Sequence, residues 1–299
     1  MAMAKRSLLV GFLCLAVLPA LCAGGWNELG GGALLAATDE WGVEQLVVEA
    51  DSFDFEYRGG RGPTMRIEAY GPADDRPQIV RDGALVRISL AERVRIAAAV
   101  RGRIVVYGPA MVDIEVHSGA GAILLESVVA PRMALRSSTG NISLESVEAD
   151  IELQTDAGNI TMVDSAGSKR IVTDSGDISI STSSGDMFLR STIGRVNLWD
   201  VTGALDVETV SGPIDVVGLS LREHGRVVSE SGRIEVIFAH DLDQLSFDVS
   251  SDSGTIQIGE EVWGAGQSVK YRPGDDLPDS AVKRIPFIGM SDSSNQLYR

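Results

Sequence analysis

Cysteine is nearly absent from this 299-residue chain: Cys14 and Cys22 are the only two, and both lie near its start. Without that first segment no thiol remains, which excludes a disulfide framework, a thiolate zinc site and a cysteine nucleophile. Aromatic residues make up only 5% of the chain, too few for a conventional large aromatic core. Histidine occurs three times, at His117, His224 and His240, with no spacing that suggests a triad or a metal site. Positive charge is scarce as well, with 26 Lys and Arg against 42 Asp and Glu and a formal charge of -16. A surface this acidic is poorly suited to nucleic acid or anionic lipid. Beyond the first residues no apolar run approaches the roughly 20 residues of a membrane span.

What is present begins with a targeting pattern. Lys5 and Arg6 form a charged start, Ser7 to Leu21 an apolar stretch, and Ala23, Gly24 and Gly25 supply small residues at its end. This predicts a signal peptide over 1–23 and an exported mature protein, in the periplasm, the outer envelope or the extracellular space. Loss of the two cations takes the formal charge from -16 to -18. Cys22 is an alternative attachment point for a lipid anchor, although Leu21 before it is bulkier than such sites usually carry. The following "GGWNELGGGALL" is glycine-rich but has no lysine and follows no strand, so it does not read as a phosphate loop. Residues 24–42 are expected to be a flexible leader.

The centre of the chain repeats itself. Glycines open "GNISL" at 140, "GNITM" at 158, "GDISI" at 176, "GDMFL" at 185, "GRVNL" at 194, "GALDV" at 203 and "GPIDV" at 212, with wider-spaced copies at 232 and 254. Each unit ends apolar, variable, apolar, the period-two signature of a short strand with one face buried. The middle residues, Ser143, Thr161, Ser179, Phe188, Asn197, Asp206, Asp215, Glu235 and Gln257, are polar except for Phe188. Short strands joined by turns every nine residues wind naturally into a coil whose turns stack as parallel strands about 4.8 Å apart. The fold class is therefore all-β, a single-stranded parallel β-helix, or β-solenoid, with two strands and 18 residues per rung and room for about eight rungs.

The pairing of nines into eighteens shows in the corners. Three residues before alternate glycines stand Ser118, Ser137, Thr155, Thr173, Ser191, Thr209 and Ser229, always a hydroxyl, whereas the interleaved set is Ser146, Asp164, Thr182 and Asp200. A Ser, Thr or Asp oxygen there can accept a backbone N–H two residues on. Gly140, Gly158, Gly176, Gly185, Gly194, Gly203 and Gly212 are the structural corners, expected to supply the dihedrals that a tight turn needs. Pro131 and Ala149 break the glycine rule, so those corners must turn differently. The solenoid is placed at 43–258, its first part made of less regular strands in wider coils, and 259–299 is a C-terminal tail or cap.

The run "IVVYGPAMVDIEVHSGAGAI", continuing into "SSTGNISLESVEADIELQTDAGNI", resembles a bacterial "putative adhesin" family of unknown function, β-helical and related to the head GIN domains. The resemblance covers most of the chain beyond the leader. It implies an envelope or surface protein of adhesin type and brings no catalytic residues with it.

Four readings compete for the function. A calcium-bound nonapeptide roll would need aspartates where this chain has Ile142, Ile160, Ile178, Val196 and Ile214, so no metal or other cofactor is expected. Asp156 and Asp174 fall one rung apart and read as a solvated pair. A β-helical polysaccharide lyase or hydrolase would need converging carboxylates. The best acidic row, Asn197, Asp215 and Glu235, is also what solubility asks of an outward strand, and "SGAG" at 118 lacks a nucleophile context. The reading carried forward is a non-enzymatic binding or envelope-structural module. It would contact an envelope or extracellular polymer, or another surface protein, along the outward row that includes Arg170, Phe188 and Asp206. There Phe188 and Trp199 could offer rings to a sugar.

Overall fold

The computed structural model describes residues 32–90 and 102–239, together with the backbone of short strands between 246 and 271. It is a β-solenoid of about seven turns with about 18 residues to a turn. Two faces enclose one continuous aliphatic core, and strands that bend through a corner belong to both.

On the first face the ladder runs from β1 (Ala33–Trp41) through β4 (Thr64–Gly71), β7 (Gly102–Pro109) and β3 (Phe53–Gly60). It continues through the first halves of β9 (Ile123–Ser137) and β10 (Ile142–Thr155), then β11 (Ile160–Ala166) and β13 (Ile178–Ser184). The first halves of β15 (Val196–Ser211) and β16 (Ile214–Ser231) follow, then β17 (Ile234–Phe238), β19 (Ile256–Ile258) and β20 (Glu261–Trp263). The second face stacks β5 (Gln78–Asp82), β6 (Leu85–Ser89), β2 (Gln45–Asp51), β8 (Asp113–Ser118) and the second halves of β9 and β10. Beyond them lie β12 (Lys169–Ser175), β14 (Met187–Ile193), the second halves of β15 and β16, β18 (Ser246–Ser250) and β21 (Ser268–Tyr271).

The inward and outward assignment follows the period-two pattern. Ile142, Ile160, Ile178, Val196 and Ile214 stack in register one rung apart and are all fully buried. The outward row Ser143, Thr161, Ser179, Asn197, Asp215, Glu235 and Gln257 is likewise in register. Late rungs widen: Thr209 faces Ser229 and His224 faces Ser246, so the stretch expected to hold about eight rungs holds fewer.

The two corners use different chemistry, and the first departs from the expected turn. There the buried hydroxyls of Ser118, Ser137 and Thr209 donate to the carbonyl three residues on, at 2.6, 2.9 and 3.2 Å. Thr155 instead accepts, from the Gly158 N–H at 3.1 Å. The second corner is the left-handed one. Ser127, Ser146, Asp164, Thr182 and Asp200 all have φ between 51° and 58°, and Gly218 continues the column. A β-branched residue in this region is unusual and marks a bend imposed by the stack.

Dihedrals alone do not account for the corner glycines, which corrects the expectation drawn from the repeat. Gly140 and Gly158 are needed for closeness, because a Cβ on either would overlap the carbonyl of the corner glycine one rung before. Further along the same column Gly176, Gly194 and Gly212 have φ of 150°, 146° and 155°, so there the unusual dihedral is added to the same close approach. Gly185 and Gly203 belong to the second corner, at 109° and 148°. Gly203 is moreover not a break between strands: it lies inside β15, which bends through the corner and continues onto the other face.

The N-terminal part corrects two further expectations. Ala33–Trp41, expected in a flexible leader, is strand β1, paired antiparallel with β4. The first coils are also not successive, because the β2–β3 rung is stacked between β6–β7 and β8–β9 although β6 and β7 follow it in the sequence. Here the scarce aromatics gather: Phe53, Phe55 and Tyr57 are fully buried, and the Tyr57 hydroxyl donates to the Pro109 carbonyl at 2.6 Å. Arg81 on β5 donates to Glu40 at 3.0 Å and to the Trp41 carbonyl at 2.5 Å, clasping the ends of the two faces together. The expected signal peptide with Cys22, and the tail beyond 271, lie outside the described residues.

Candidate functional site

Successive rungs of β10, β12, β14, β15 and β16 bring Glu152, Arg170, Phe188, Asp206 and Arg226 into one outward row on the second face. The three residues singled out in the sequence therefore do stand side by side. Two residues further along each strand, the neighbouring row carries Gln154, Val172, Arg190, Glu208 and Val228.

Phe188 is not an open platform. Its ring is half-buried, with the Arg170 guanidinium 4.4 Å and the Arg190 guanidinium 4.0 Å from its centroid. Such cation–π contacts fix the planes of both arginines. Arg190 then forks onto Asp206 at 3.1 and 3.2 Å and reaches Glu208 at 3.2 Å, while Arg226 reaches the same two carboxylates at 3.0 and 3.1 Å. Partial burial alone would raise the Asp206 pKa, but the hydrogen bonds from Arg190 and Arg226 outweigh it and hold the carboxyl below its usual range. Arg190, Glu208 and Arg226 escaped the sequence reading because it followed only the middle residue of each strand.

Beside this row, along the left-handed corner, runs a groove of about 510 Å³ bounded by Arg132, Asp150, Lys169, Asp186 and Asp206, among others. Lys169 is its least expected member. It occupies an inward slot between Ile151 and Met187 and is buried, its ammonium donating to the carbonyls of Gly167 at 2.7 Å and Ser184 at 2.8 Å. Burial pushes its pKa down to about 8, against a smaller upward pull from Asp150. The signal was in "GSKRIV", which places lysine where other copies carry Ile, Val, Met or Leu.

Other sequence candidates do not converge. Asp156 and Asp174 are exposed at a corner. No group of three or more His, Cys, Asp or Glu able to hold a metal is found among the described residues. In the best acidic row, Asp215 and Glu235 share Arg233, at 2.6 and 2.5 Å. His117 bonds Glu115 at 2.9 Å, His224 lies at the groove, and His240 is outside the described residues. Trp199 is exposed on the other face.

A family model, Toastrack DUF4097, matches residues 90–272, more than half of the chain. The chain belongs to this family. The Toastrack match takes in β7 to β21 and leaves β1 to β5 outside it. No curated protein matches the chain. Similar solved structures include a "putative lipid binding protein" from Parabacteroides distasonis, 13% identical over 88% of this chain and 96% of its own, with a TM-score of 0.40. A "putative adhesin" from the same organism is 12% identical over 89% and 97%, with a TM-score of 0.35. Another from Parabacteroides merdae is 11% identical over 90% and 98%, with a TM-score of 0.31.

Proposed function

We propose that this Toastrack protein is an exported, non-enzymatic binding module of adhesin type that holds an envelope or extracellular polymer along its second face. The observation that carries the reading is the row Arg170, Phe188 and Asp206, aligned on consecutive rungs beside an open groove that runs with the solenoid axis. An extended partner laid along such a row gains affinity from repeated weak contacts rather than from one deep pocket. The state of Asp206 supports binding over glycoside hydrolysis. A general acid needs a raised pKa, and the two arginines push this carboxyl the other way. An Arg170→Glu, Phe188→Ala double variant that melts like the wild type should lose most retention of envelope material in a pull-down, whereas Ser179→Asp on the opposite face should keep it. Full retention by the double variant would reject this face. Turnover of any polysaccharide by the purified protein would reject the non-enzymatic reading.

A further inference from the structure

We infer that the groove takes an acidic polysaccharide, a uronate-bearing glycan whose carboxylates are read by Arg170 and Arg132. The inference rests on the binding role proposed above and names its ligand class. The first observation is a contrast among arginines. Arg190 and Arg226 are each shared between Asp206 and Glu208, whereas Arg170 and Arg132 have no ion pair among the described residues. Arg170 is held flat against the Phe188 ring, so its planar fork of donors is oriented before anything binds. A pre-set guanidinium recognises carboxylate bidentately and loses little side-chain entropy in doing so.

The second observation concerns acceptors. Asp150 and Asp186 each commit one oxygen to a corner amide, Ser168 N–H at 3.0 Å and Ala204 N–H at 3.1 Å, which leaves the other oxygen to accept from a ligand. Glu152, exposed in the row between Ala134 and Arg170, adds a further acceptor. A groove that offers both unpaired guanidiniums and free carboxylate oxygens asks for a ligand with anions and many hydroxyl donors. Acidic sugars have both. An acidic peptide supplies the anions but few donors, and a phosphate brings anionic oxygens that the three carboxylates would repel. The apolar Met187 and Leu205, which also line the groove, suit the C–H faces of pyranose rings.

Spacing agrees with this choice. Arg132 and Arg170 stand two rungs apart, about 10 Å along the axis, within the reach of alternate sugars in an extended chain. The negative charge of the whole protein opposes a polyanion only at long range, and salt screens it beyond about 8 Å. Contact is then decided by the arginines.

The test is titration calorimetry on the full chain, in chelator, with a galacturonate oligomer, a neutral galactan oligomer of equal length, and polyglutamate. The galacturonate oligomer should bind, and Arg170→Gln should weaken it by at least about tenfold, the loss expected of a charged hydrogen-bonded pair. Arg170→Lys, which keeps the charge but not the fork, should recover only part of that loss. Arg136→Gln, outside the groove, should change nothing. Equal binding of the neutral oligomer or of polyglutamate, or no binding of galacturonate, would overturn the inference. Retention of envelope material despite absent galacturonate binding would overturn the ligand class and leave the binding role standing.

Discussion

The stretch from β1 to β7 and the stretch from β8 to β17 are parts of one ladder, yet they are built on opposite principles. In the later stretch every rung buries aliphatic pairs such as Ile178 and Ile180, and every corner repeats the chemistry of the one before it. In the earlier stretch the core is aromatic, strands run antiparallel, and the order of stacking departs from the order of the chain. The difference shows what a repeat cannot do. Each interior rung has its open strand edges covered by the next rung, but the last rung at either end has no successor. At the N-terminal end the edges are taken by β1, β4 and β5, and at the C-terminal end by β20 and β21, all paired antiparallel. Antiparallel strands stop a parallel ladder because they do not repeat its geometry.

The strongest test of this division is excision. Removing the 18 residues Asp177 to Gly194 joins like corners, since Asp177 already lies one rung before Arg195, and should leave a shorter folded protein. Removing the nine residues Asp177 to Gly185 joins unlike corners and should cost most of the soluble yield. Removing 18 residues from the other stretch, Phe53 to Tyr70, takes out the aromatic strand and most of β4, and should abolish folding. Soluble yield and melting temperature rank the three. Similar melting of the two 18-residue deletions would mean that the N-terminal stretch is as modular as the rest.

The same division explains what the sequence made legible. Corners and inward slots recur every 18 residues, so the register of Ile142, Ile160 and Ile178, and the alignment of Arg170 with Phe188 and Asp206, follow from counting. Counting also found the glycine columns, but not why each glycine is there: the close approach at Gly140 and Gly158 is to a carbonyl on the neighbouring rung, which no local pattern displays. Where there is no period, counting fails altogether. Nothing local in "TMRIEAYG" tells that it pairs with both β1 and β7, because that pairing is fixed by contacts far apart in the chain. At the site, counting placed the ring of Phe188 but not its cover. The guanidinium of Arg190 comes from a neighbouring row on the same strand, and its reach depends on side-chain direction rather than on register.

A second test sharpens the contrast within the regular stretch, where Lys169 is the one inward slot that breaks the aliphatic rule. Its folded pKa of about 8 lies below the ordinary lysine value of 10.5. Between those pH values the unfolded chain holds the proton and the folded one does not, so the wild type gains stability as pH rises through that window. Below it both states are charged and the full burial penalty applies. Lys169→Met, matching Met187 on the next rung, removes the penalty but leaves the carbonyls of Gly167 and Ser184 without their ammonium donor. Net stabilisation of about 1 kcal/mol is expected at pH 7. The advantage should shrink by about 2–3 kcal/mol as the pH approaches 10.5, so that the variant becomes the less stable protein there. Urea unfolding at the two pH values measures both numbers. A pH-independent difference would mean that the ammonium is solvated and that this slot is not part of the core.

The smallest effect probes whether the corners are as uniform as their sequence. Ser137, Thr155 and Thr173 stand in register in the first corner, all buried. Ser137 donates to the Gly140 carbonyl at 2.9 Å, but the Thr173 hydroxyl has no protein partner. One column thus contains a hydroxyl that stabilises and a hydroxyl that costs. Ser137→Ala should lose about 1 kcal/mol, the net worth of a buried neutral hydrogen bond. Thr173→Val keeps the shape and removes an unpaired polar atom from the interior, so it should gain up to about 1 kcal/mol. The two variants are predicted to move the urea midpoint in opposite directions at an unchanged slope. If Thr173→Val is destabilised like Ser137→Ala, the hydroxyl is bonded by a water held in the corner, and the column is chemically uniform along its length.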